Sequence, residues 1–158
     1  AGMTVIEGQV DYTFPSDGRF KNNVKDLETG LDFILKLRPV SYQFDRLKFA
    51  EFIGQDVSDI DMQERLIKNS IPIQYGFIAQ EVEIASNEVH EDFDFVKKPT
   101  NEKDNYSIAY GSMVVPVIKA IQEQQNIIIN QQEEIDTLKR ENAEIKLMLQ
   151  QIINNSGN

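Results

Sequence analysis

From Ser112 to Ile153 the chain contains no glycine, and its only proline in that span, Pro116, falls within the first turn or so, where a helix tolerates it. Steps of three and four residues pick out Val114, Val117, Ile121, Gln124, Ile128, Gln131, Ile135, Leu138, Asn142, Ile145, Leu149 and Ile152. Nine of these twelve are apolar, and the positions between them are mostly Gln, Glu, Asn and Lys. That is the pattern of a coiled coil sustained over more than five heptads. A single helix of this length cannot bury its own stripe, and no second long periodic segment exists in the chain to cover it. The expected partner is another copy of the same chain.

Side-chain shape bears on the number of strands. Ile121, Ile128, Ile135, Ile145 and Ile152 put β-branched residues at first and fourth heptad positions, which shifts preference from two strands toward three or more. Asn142 pulls toward a dimer, and Gln124 and Gln131 would form polar layers that fix register at some cost in stability. A homotrimer is the expectation, with a dimer as the alternative. A further alternative is that part of the helix packs back on its own globular portion.

The preceding residues have a different texture. Met3 to Phe14 alternate loosely (Val5, Val10, Tyr12, Phe14) and read as a short strand or extended lead-in ending at Pro15. Pro15-Ser16-Asp17-Gly18 is a turn signal. Leu31, Ile34, Leu35 and Leu37 sit at helical spacing from about Thr29, with Thr29 or Asp26 as candidate caps and Pro39 as the stop. Val40, Tyr42 and Phe44 alternate as a strand; so do Ile71, Ile73, Tyr75 and Phe77, and again Tyr106, Ile108 and Tyr110. Between them, Asp45 to Gln74 is polar with a short helix expected around Asp61 to Asn69. Ile78 to Ala85 reads as a helical turn or two, and Glu88 to Asn105 as an acidic loop or weak hairpin. The predicted fold is α+β: a lead-in over 1–15, a small mixed head over 16–111, and a long C-terminal helix with a frayed tail over 112–158. Tyr42, Phe44, Tyr75 and Tyr110 are expected in the core of the head.

Composition narrows the function. Sixteen basic against 26 acidic residues give a formal charge of -10, which argues against binding nucleic acid or an anionic membrane surface. With no cysteine and one histidine, thiol chemistry, disulfide scaffolds and Cys/His zinc sites are excluded. No cofactor or metal is expected, and no apolar run approaches the roughly 20 residues of a membrane helix. The opening Ala1-Gly2-Met3 carries no charged-then-apolar leader and is expected to begin a piece of a longer protein.

One short run concentrates chemistry: Ser16-Asp17-Gly18-Arg19-Phe20-Lys21. A serine hydroxyl is inert at neutral pH unless a base takes its proton, and a lysine can be that base once burial or neighbouring cations lower its pKa. Spacing alone does not separate such a pair from an ordinary turn with a solvated lysine.

Short motifs in a fixed order carry further information. Ser16-Asp17-Gly18-Arg19-Phe20-Lys21-Asn22-Asn23-Val24 leads into Leu31-Asp32-Phe33-Ile34 and Leu37-Arg38-Pro39-Val40. Gly76-Phe77-Ile78-Ala79-Gln80-Glu81-Val82-Glu83 follows, and Val115-Pro116-Val117-Ile118-Lys119-Ala120-Ile121-Gln122-Glu123 closes the series. In that order the chain resembles the C-terminal intramolecular chaperone domain of phage endosialidases and tailspikes. The same domain type occurs within the myelin regulatory factor and in bacterial surface or tail-fibre-like proteins. The resemblance implies a trimer that helps an upstream fibre or adhesin segment of the same polypeptide to assemble and then cuts itself away, on a phage tail or virion or at a bacterial cell surface. It also implies a self-cleaving serine peptidase: Ser16 as nucleophile, Lys21 as general base, and Pro15–Ser16 as the scissile bond. Asp17, Gly18 and Arg19 would shape the turn. The alternative is a permanent oligomerisation domain without proteolytic activity.

Other residues that invite a functional reading are expected to be structural. Glu81 could assist Lys21 across a subunit boundary, but Glu81 and Glu83 are expected on a solvated helix face, and two residues apart they point in different directions. His90, flanked by Val89 and Glu91, is expected at the surface. The run Glu88, Glu91, Asp92 and Asp94 lacks the glycine and spaced ligands of a dedicated calcium loop.

Overall fold

The computed structural model describes residues 15–156, so the lead-in strand expected over residues 3–14 lies outside the described residues. The elements are α1 (Leu31–Lys36), β1 (Val40–Gln43), α2 (Arg46–Phe52), α3 (Ile60–Ser70), β2 (Ile73–Gly76), α4 (Ala79–Glu88), β3 (Val96–Lys97), β4 (Ser107–Ile108) and α5 (Val114–Ser156). This is the expected α+β arrangement of a mixed head and a long C-terminal helix. Forty-three helical residues at 1.5 Å each make α5 about 65 Å long.

β1 and β2 pair antiparallel, with Val40 opposite Gly76 and Gln43 opposite Ile73. α2 and α3 fill the connection between them. The Gln43 amide donates to the Ile71 carbonyl at 2.5 Å, and the Arg46 N–H donates to Ser70 Oγ at 2.9 Å, closing the base of this excursion. α2 has no counterpart in the sequence reading, although its N-cap was visible: Asp45 Oδ1 accepts from the Lys48 N–H at 2.9 Å.

The core lies between α1, α4, the β3–β4 hairpin and the start of α5. Phe33, Val82, Ala85, Phe95, Val96 and Met113 are buried there. Phe33, Phe93 and Phe95 form an aromatic cluster with centroids 4.6 to 5.9 Å apart. Buried Ser86 ties the cluster to α4, donating through Oγ to the Glu91 carbonyl. α4 itself ends in a Schellman motif: His90 N–H bonds Asn87 O, Glu91 N–H bonds Ser86 O, and His90 takes a φ of 58°. The lone histidine is thus an exposed helix terminator.

Three expectations need correction. The strand expected over Tyr106, Ile108 and Tyr110 shrinks to Ser107–Ile108, paired with Val96–Lys97, because the chain turns at once into α5 (Ser112 N–H to Ala109 O, 3.0 Å). None of Tyr42, Phe44, Tyr75 and Tyr110 is fully buried. In β2 the alternation is real but inverted: Tyr75 is 82% exposed and Ile73 also faces out, while Gln74 and Gly76 lie on the half-buried side. Finally, α1 takes no cap from Thr29 or Asp26; its N-cap is Gly30, which has no side chain to offer.

α5 divides into two parts. Pro116 and Ala120, with Met113 just before the helix, are buried against the head, and α1 is the main contact. From Gln124 to Ile153 every side chain is exposed, including the apolar ones at seam spacing.

Candidate functional site

The segment around Ser16 forms a self-contained turn. Gly18–Phe20 is one turn of 3-10 helix, capped by Asp17, whose Oδ1 accepts from the Arg19 N–H at 2.9 Å. Phe20 N–H bonds Asp17 O at 3.1 Å and Lys21 N–H bonds Gly18 O at 3.2 Å. The tightened turn brings the first and last residues of the motif together: Lys21 Nζ donates to Ser16 Oγ at 2.8 Å. Hydroxyl and amine are therefore in direct hydrogen-bond contact, the geometry that a nucleophile–base pair requires.

Asp17 and Arg19 face one another instead of the pair. The Arg19 guanidinium grips Asp17 Oδ2 through Nε at 2.9 Å and Nη2 at 2.6 Å and lies 5.7 Å from the Phe20 ring centroid. Hydrogen bonds from Arg19 hold the Asp17 carboxyl below its ordinary value, and the same contact raises Arg19. Both are committed to shaping the turn. Gly18 has open space around it. From Pro15 to Lys21 every residue is exposed on this chain, Phe20 by 78%.

Glu81 and Glu83 of α4 have structural partners and are less free than a solvated face would leave them. Glu81 is held by Arg38 through two hydrogen bonds, Nε to Oε2 at 3.0 Å and Nη2 to Oε1 at 2.5 Å, and the Arg38 pKa rises because of it. Glu83 pairs with Lys98 at 2.9 Å and accepts from the Tyr106 hydroxyl at 2.8 Å. Those contacts lower Glu83, with Lys98 the larger cause and Tyr106 the next, and they raise Lys98 and Tyr106 in return. Together they join α4 to both sides of the β3–β4 hairpin.

Beside Arg38, Tyr42, Phe44, Phe49, Phe77 and Tyr110 line an open groove of about 650 Å³. A Cβ at Gly76 would displace the Tyr110 hydroxyl, which accepts from the Phe77 N–H at 3.0 Å.

The residues expected on a seam, Ile121, Ile128, Ile135, Leu138, Ile145, Leu149 and Ile152, all lie exposed on α5. Asn142 bonds within its own helix, Nδ2 to Leu138 O at 2.9 Å. Glu123, which the sequence did not single out, accepts through Oε2 from the backbone N–H of Gly30 at 3.2 Å and Leu31 at 2.6 Å. No local signal marks a bond between residues more than 90 positions apart.

Residues 16–90 match the family model described as chaperone of endosialidase, and the match opens on Ser16. No curated protein matches the chain.

Proposed function

We propose, on the premise that residues 16–90 belong to the chaperone of endosialidase family, that this intramolecular chaperone works as a homotrimer and releases itself by cutting Pro15–Ser16. The observation that carries the reading is the 2.8 Å contact between Lys21 Nζ and Ser16 Oγ at the first residue of the family match.

Trimerisation supplies the chaperone work. Three α5 helices paired along the seam raise the local concentration of the upstream chains and hold them in register while slow non-local pairing proceeds. The exposed seam from Ile121 to Ile152 supports this, because an unpaired helix would leave that stripe in water.

Cleavage then follows from the turn. Neutral Lys21 accepts the Ser16 hydroxyl proton; Oγ attacks the Pro15 carbonyl carbon, and the C–N bond to Ser16 breaks as its nitrogen takes up a proton. The resulting Pro15 ester of Ser16 is hydrolysed by water, leaving a Pro15 carboxylate and a free Ser16 amine and hydroxyl. Arg19, Phe20 and Lys21 N–H groups are engaged inside the turn, which leaves those of Asp17 and Gly18 to stabilise the oxyanion. Lys21 is exposed on the single chain, and a general base works best shielded from water, so the reaction waits for a neighbouring subunit to cover this amine. Cleavage thereby waits for assembly and makes it kinetically irreversible.

The test is a chain extended upstream by a fibre segment, run beside Ser16→Ala and Lys21→Ala versions. A fragment beginning at Ser16 in the parent and in neither variant is the expected result. A fully intact parent under trimeric conditions overturns the proteolytic reading and leaves the permanent oligomerisation domain.

A further inference from the structure

The Ser16–Lys21 turn hangs on residues 22–30, and that strap is fastened to α5, the helix that carries the seam. Half-buried Leu27 and neighbouring Asp26 face Val115, Ile118, Lys119 and Gln122 across a cleft of about 400 Å³. At Gly30 the strap meets the helix backbone itself. A Cβ there would run into the Ala120 nitrogen and come within 2.7 Å of Lys119 Cβ, so only glycine permits the approach. One residue further on, the Glu123 carboxylate closes the joint, accepting from the Gly30 and Leu31 N–H groups at 3.2 and 2.6 Å. Lys119, one turn back, lies 3.6 Å from its other oxygen. These are orphan donors at the start of α1, and the chain satisfies them from α5.

We propose that Glu123 is a positioning residue for self-cleavage, coupling formation of the seam helix to placement of the Ser16–Lys21 turn. This rests on the Ser–Lys reading above. The clamp exists only while residues 115–123 are helical, since Gly30 packs on the backbone between Lys119 and Ala120 and Glu123 must project one turn further along. Most of the stability of a helix within a protein comes from packing of its amphipathic face. Pairing of α5 therefore stabilises the clamp, the clamp fixes the strap, and the strap sets where each nucleophile stands relative to the common axis. By linkage, the clamp favours assembly to the same degree that assembly favours the clamp.

The experiment uses the 158-residue chain and follows appearance of the fragment beginning at Ser16, with light scattering and hydrogen exchange on the same samples. Glu123→Ala should slow cleavage at least tenfold at concentrations where light scattering still shows the oligomer, because every apolar seam residue from Ile128 to Ile152 lies beyond this position. Glu123→Gln keeps an accepting oxygen and should restore most of the rate. Gly30→Ala should slow cleavage through the packing arm of the same joint. If Glu123→Ala cleaves at the parent rate while Ser16→Ala does not cleave, the coupling is wrong and the Ser–Lys reading stands. If the parent itself never cleaves, the Ser–Lys reading falls. Exchange then decides the clamp: faster exchange across residues 26–31 and the Arg19–Lys21 turn in Glu123→Ala upholds it, and unchanged exchange overturns it.

Discussion

Two isoleucines on α5, Ile129 and Ile135, are equally exposed on the single chain, at 46% each, yet only Ile135 lies on the seam. Replacing each with aspartate separates a paired stripe from general hydrophobicity. Fully burying an isoleucine is worth about 1.5–3 kcal/mol, and since about half of Ile135 is already covered, pairing recovers about 1 kcal/mol per chain. An aspartate in that layer adds an unpartnered charge, and after relaxation this costs about 2 kcal/mol more per chain. Three chains then lose about 9 kcal/mol together, six to seven powers of ten in the association constant. Half-assembly concentration scales as the inverse square root of that constant, so it rises about a thousandfold. Light scattering across a dilution series is the assay: the parent should weigh three times the 18.1 kDa chain, and Ile135→Asp should weigh one chain at micromolar concentration. Ile129→Asp should assemble like the parent. Equal dissociation of both variants, or a parent that is monomeric throughout, would refute the seam and its register.

Other consequences concern the head. Glu83→Gln should flatten the acid limb of the stability curve. A carboxyl lowered by Lys98 and Tyr106 contributes fully above its ordinary 4.5 and loses that contribution as pH falls through its lowered value, so urea midpoints of variant and parent should converge at low pH. Phe33→Ala removes a fully buried ring and should cost about 3–5 kcal/mol, whereas Tyr75→Ser, at a side chain 82% exposed, should stay within about 0.5 kcal/mol by urea unfolding. His90→Gly should raise stability by up to about 1 kcal/mol, because glycine adopts the left-handed conformation at φ 58° without a Cβ penalty; a lower melting temperature would contradict this role.

The readable parts of the chain were those whose physics is local. Absence of glycine and a three–four rhythm of isoleucines suffice for α5, and Pro39 suffices to end α1. The turn at Ser16 was legible for the same reason: Asp17 caps and tightens its own neighbours, and the hydroxyl and amine five residues apart follow from it. What stayed hidden depends on partners far away in sequence. The cap of α1 comes from Glu123, and the supposed free carboxylates Glu81 and Glu83 are claimed by Arg38 and Lys98. Period-two alternation also marks a strand without saying which face is covered, which is why Ile73 and Tyr75 point to solvent where burial was expected.

Assembly and cleavage are joined in one chain, and intact-mass spectrometry of the parent beside Ile135→Asp tests that join most directly. Samples at one concentration are incubated and their masses followed in time. The expected result is a fragment beginning at Ser16 that accumulates in the assembled parent and not in the dissociated variant. A fragment formed at the same rate in both, or in neither, would contradict it.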